Sequence, residues 1–80
     1  MMPDKEALLA EERDLRTLKM IVDLTSALLW QSDLTLSEAQ KLISDARDRA
    51  LELFPDKGQT FDLIYGSRFR RILVEKYRLQ

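Results

Sequence analysis

The chain has neither cysteine nor histidine among its 80 residues. A disulfide framework, a thiolate or imidazole metal site, and Ser-His-Asp or Cys-His nucleophile systems are therefore excluded. Glycine and proline occur only twice each. The glycines, Gly58 and Gly66, stand apart and form no phosphate-cradling loop. So few breakers favour long helices joined by short turns. The longest largely apolar stretch, Met20 to Trp30, spans 11 residues, well short of the roughly 20 that cross a bilayer. The start, Met1-Met2-Pro3-Asp4-Lys5-Glu6, lacks a basic region leading into an apolar one, so no signal peptide is expected and a cytoplasmic setting fits. What chemistry remains is that of carboxylates, lysine and tyrosine. The sequence reads as non-enzymatic, with no cofactor.

What is present is a globular balance of 45% hydrophobic and 34% charged residues, enough for one small domain over 1–80. The stretch from Met20 to Trp30 is its centre, interrupted only by Asp23, Thr25 and Ser26. A helix apolar nearly all round is a buried one. It is the second half of a first helix predicted over about 4–31, opened by Asp4 and Glu6 at the positive end of the helix dipole. Leu8, Leu15, Val22 and Leu29 recur every seven residues, with Leu18 widening the stripe. Glu12 and Arg16 stand at i,i+4, an exposed pair. Trp30 is expected to close the core at the helix end, with its N–H at the rim.

A second helix is predicted over 36–54. Thr35 and Glu38 have capping-box spacing, with Leu34 and Ala39 placed as a staple; Ser37 and Gln40 repeat the box two residues later. Leu36, Ala39, Ile43, Ala46, Ala50 and Leu53 make one face, whose alanines permit close backbone approach. Lys41–Asp45 and Asp45–Arg49 are i,i+4 pairs on the other side. Phe54-Pro55 ends the helix, because the residue before proline is steered out of the α region, and Asp56-Lys57-Gly58 makes the turn. A third helix over 59–79 carries Phe61, Ile64, Tyr65, Phe69, Ile72, Leu73 and Leu79 on one face, with Leu63 and Val74 nearly opposite. Gly66 either permits a close crossing or marks a kink recapped by Ser67; a continuous helix is favoured. The fold expected is all-α, a three-helix bundle of a long first helix plus a helical hairpin, completed by self-association.

Charge is unevenly spread. Residues 1–56 hold 7 Lys and Arg against 12 Asp and Glu, and residues 57–80 hold 6 against 2. Such an acidic body with a basic tail attracts itself, a second copy or an anionic partner. Arg68, Arg70, Arg71, Lys76 and Arg78 are the candidate partner-binding residues, and Leu8, Leu15, Leu18, Leu63 and Val74 the candidate self-association residues. Asp45, Asp48 and Glu52 line one side of the second helix, where a hard cation is conceivable, but interleaved Arg47 and Arg49 make a solvated face the better reading. The function expected is a small non-enzymatic interaction and oligomerisation module, homo-oligomeric with a dimer favoured, open to another protein partner. The alternative is a nucleic-acid-associated regulator using the basic tail, with arginine on phosphate and rings on bases. Against it, the aromatics share the apolar face of Ile72. Membrane-surface binding by the third helix is weaker still, given Gly66 and an acidic pI.

Overall fold

The structure is a computed structural model and describes residues 4–78. Among those residues there are three helices and no strand. Helix α1 spans Lys5–Gln31 and α2 spans Leu36–Leu53. Helix α3 is continuous over residues 58–77, in three pieces: Gly58–Phe61, a wider π turn at Asp62–Gly66, and Ser67–Tyr77. Leu79, assigned to the apolar face of the third helix, lies outside the described residues.

Local chemistry accounts for the ends. The Asp4 side chain accepts from the Glu6 N–H at 3.0 Å and opens α1. At α2 the Thr35 hydroxyl accepts from the Glu38 N–H at 3.1 Å while the Glu38 carboxylate accepts from the Thr35 N–H at 3.0 Å. That is a closed capping box, so Ser37 and Gln40 are not used as one. Phe54, ahead of Pro55, leaves the helical region at φ −134° and ψ 77°. The turn is one residue shorter than its sequence suggested, since Gly58 already opens α3. A Cβ there would lie 3.2 Å from the Arg47 guanidinium, which passes over this first turn.

Three chain directions follow, up, down and up, with short connections. The core takes Val22 and Leu29 from α1, Ala39 and Ala50 from α2, and Phe61, Phe69, Ile72 and Leu73 from α3. The buried alanines let α2 lie close to α1. Phe61 is flanked by Tyr65 and Phe69, with ring centroids at 5.4 and 6.3 Å.

Two expectations about this core need correcting. Trp30 does not close it: the side chain is 48% exposed. The buried stripe of α1 runs through Val22, Thr25 and Leu29, and Trp30 stands one residue, or about 100°, beyond Leu29. Ile64 leaves the face it was assigned to and is 56% exposed. The π turn places residues 62–66 off the regular helical raster, so Phe61 and Phe69 stay inside while Ile64 swings out.

The molecule is elongated, 52 × 21 × 16 Å, with a Cα radius of gyration of 14.8 Å. A compact 80-residue domain would have about 12 Å. The excess comes from α1. Its 27 residues make a rod of about 40 Å, against about 27 Å for α2. Leu18 packs level with Ala50 and Phe54 at the far end of α2. The first turns of α1 therefore project past both other helices.

Candidate functional site

Helix α1 carries an open apolar surface on two sides. On one side, α1 and α3 flank a groove of about 300 Å³, walled by Leu15, Leu18, Phe54, Ile64 and Tyr65, with Glu11 and Lys57 at the rim. On the other, α1 and α2 flank a groove of about 260 Å³ walled by Ile21, Leu24, Leu28 and Leu42, with Asp45 and Arg49 beside it. The two grooves share α1 as their common wall. That is how a helix apolar nearly all round sits in a bundle of only three: one stripe is covered by its own chain, and the flanks stay open.

The expected self-association residues fall into two groups. Leu8 and Leu15 lie exposed on α1, and Leu18, half-buried against the core, continues them into the α1–α3 groove. Leu63, 71% exposed, projects from the π turn beside Ile64, whereas Val74 lies a helix-length away toward the end of α3. Leu9, Met20, Leu24, Leu28 and Trp30 are also exposed; the last four belong to the stretch expected to be buried. Two helices packed on α1 bury only the stripe through Val22, Thr25 and Leu29, and the rest of the apolar stretch stays open.

The basic run does not act as a unit. Arg68, Arg70, Arg71 and Arg78 are exposed, but Lys76 is withdrawn from the set. Its ammonium donates to the Leu29 carbonyl and, at 2.5 Å, to the Ser32 carbonyl. Both oxygens belong to the C-terminal end of α1, where carbonyls lack helical partners and the dipole is negative. Lys76 is thus a cap for another helix, and the correction has a geometric cause: α3 runs beside α1 and ends level with it. Tyr77 is held the same way, its hydroxyl donating to the Leu34 carbonyl at 2.6 Å. Phe69 is buried, and Tyr65 is half-buried with Arg68 stacked 5.9 Å from its ring centre. The rings that would stack on bases are occupied within the chain.

Electrostatics elsewhere are local. Among the described residues the ion pairs are Lys41–Asp45 at 3.4 Å and Arg47–Asp62, a forked contact at 2.7 and 3.1 Å. The i,i+4 partners Glu12–Arg16 and Asp45–Arg49 do not meet. Hydrogen bonding from Arg47, reinforced by its charge, holds the Asp62 carboxyl below its usual range, and Asp62 raises Arg47 in turn. Glu38 is also lowered, by the Thr35 N–H first and the Thr35 hydroxyl second. Asp45, Asp48 and Glu52 do not gather: among the described residues no three carboxylates stand close enough to hold a metal ion. Nor is any helix there long and apolar enough to cross a membrane.

No family model, curated protein or solved structure matches the chain.

Proposed function

We propose that the chain is a small non-enzymatic interaction and oligomerisation module whose working surface is the pair of open flanks of α1. One observation carries this reading. The molecule exposes 6434 Å², whereas a compact monomer of 9.4 kDa exposes about 5,000 Å². The surplus includes large apolar side chains gathered along α1 and the π turn, and contiguous apolar surface of that kind marks protein contacts. A cytoplasmic location is consistent with this role.

The test is photo-crosslinking in the native cell from a probe at Leu15 or Leu24, with Ser44 as an exposed polar control. Protein adducts at the two apolar positions, above the control, are expected. Equal labelling at all three would overturn the proposal. The alternative, a nucleic-acid-associated regulator, retains four exposed arginines, but Lys76 and the neighbouring rings are otherwise engaged. Binding through phosphate contacts is strongest at low salt. No retention on mixed-sequence DNA or RNA is expected at low ionic strength, and salt-sensitive retention would reinstate that alternative.

A further inference from the structure

We propose that the α1–α3 groove is occupied by a second copy of this chain, with the two α1 helices antiparallel and crossing near Leu15. This rests on the interaction-module reading above and names its partner.

Three observations select that occupant. The first is continuity. Leu8 stands one heptad before Leu15, and Leu18 follows it, so one apolar stripe runs from the projecting turns of α1 straight into the groove. A twofold axis near Leu15 lays the projecting turns of each copy along the groove of the other. The second is area. The surplus of exposed surface, 6434 Å² against about 5,000 Å², is spread over both flanks of α1 and is larger than the roughly 800 Å² per partner that a standard interface buries, so the molecule has room for one.

The third is charge. An isologous interface must complement itself, residue i meeting j and j meeting i. Residues 4–14 of the projection carry 5 acidic and 2 basic side chains. In the antiparallel arrangement they run beside α3 from Ile64 toward its end. There Arg68 and Arg71 continue the row of Ile64 at i+4 and i+7, both exposed. At the groove itself the rim holds one acid, Glu11, and one base, Lys57. Among the described residues neither forms an ion pair. A face with an apolar stripe between opposite charges matches its own image turned by 180°. The α1–α2 groove also has an acid and a base beside it, Asp45 and Arg49, but its row on α1 continues into polar Thr17 and Asp14, so no apolar stripe leads from the projecting turns into it.

Sedimentation equilibrium of the full chain and its variants decides the matter. The wild type should be a dimer at micromolar concentration. Leu15→Glu and Ile64→Glu should each weaken it about a hundredfold while leaving helix content unchanged, since each puts charge at a desolvated contact on both sides of the axis. Leu24→Glu, on the opposite flank, should leave the dimer intact. Reversing Arg68 and Arg71 together to Glu should cost about tenfold, the scale of four exposed pairs, two on each side of the axis, and Asp4→Lys with Glu6→Lys in the same chain should restore part of it. Because the chain has no native cysteine, Leu15→Cys supplies an independent readout should the Glu variants fail to fold. It should form a disulfide-linked dimer under mild oxidation, and Leu24→Cys should not. A wild type that stays at 9.4 kDa would overturn the second copy as occupant. Crosslinks to other proteins would in that case leave the interaction half of the module reading standing and remove its oligomerisation half. A dimer that survives Leu15→Glu and Ile64→Glu, or dissociates with Leu24→Glu, would overturn the proposed face.

Discussion

Lys76 illustrates how a residue's role depends on where its neighbours end. By sequence it belongs to a run of cations near the end of a helix, where its own helix dipole is reason enough for it. In the fold its ammonium reaches the Leu29 and Ser32 carbonyls at the end of α1, and so ties the last helix to the first connection. Lys76→Met keeps most of the apolar stem and removes the donor. Hydrogen bonds to charged groups are worth about 1.5–3 kcal/mol, so a loss of about 2 kcal/mol in urea unfolding is expected. An unchanged midpoint would show that water serves those carbonyls equally well. Gly66 gives the opposite case. A Cβ there meets only the Asp62 Cβ at 3.8 Å, and the residue keeps a right-handed helical backbone at φ −57° and ψ −42°. No close crossing needs it, and Ser67 does not recap a broken helix; its hydroxyl donates instead to the Leu63 carbonyl. Gly66→Ala should therefore stabilise the protein by about 0.5–1 kcal/mol, chiefly by stiffening the unfolded chain. A destabilised variant would mean that the π turn requires glycine.

At the scale of elements, the sequence revealed whatever is decided within about one helical turn. Thr35 and Glu38 are three residues apart, Phe54 and Pro55 are adjacent, and the alanine face of α2 repeats within itself; each is where its spacing put it. Contacts between distant residues were not legible. Arg47 and Asp62 lie 15 residues apart, and Lys76 reaches back 47 residues to Leu29. The π turn was hidden for another reason: a helical raster of 100° per residue contains no wider turn, so Ile64 was assigned inward. The Arg47–Asp62 fork clasps that turn to α2, and its pH dependence has a definite sign. The folded-state pKa of Asp62 is depressed by Arg47. Its contribution is thus fully present above the unfolded carboxyl pKa, about 3.9, and is lost as pH falls through the lower folded value. Glu38 acts in the same direction at the start of α2. Arg47→Met removes the cause of the Asp62 shift and leaves Glu38 alone. Urea midpoints of wild type and variant should differ at pH 7 and converge below the folded pKa of Asp62. A gap independent of pH would mean that Arg47 stabilises by packing its stem.

At the scale of the whole molecule, three helices of unequal length cannot cover one another. Helix α1 is nine residues longer than α2, 27 against 18, and its apolar surface does not stop where α2 stops. Leu8 and Leu9, exposed on the projecting turns, add little to a single folded copy. If a second copy covers them, folding and association are one equilibrium, and stability must depend on concentration. A tenfold rise in protein concentration adds about 1.4 kcal/mol to the free energy of unfolding a dimer at 25 °C. Two chains together gain about 0.34 kcal/mol/K of entropy on unfolding, taking roughly 2.1 cal/mol/K per residue. The midpoint of thermal unfolding should therefore rise by about 4 °C for each tenfold increase in concentration. Calorimetry at three concentrations measures this directly. Deleting residues 1–10 should abolish the dependence while preserving the helical spectrum, because the core from Val22 to Leu73 is untouched. A wild-type midpoint independent of concentration would mean that each copy is stable with its apolar flank open to water, and that the projection of α1 contributes nothing to folding.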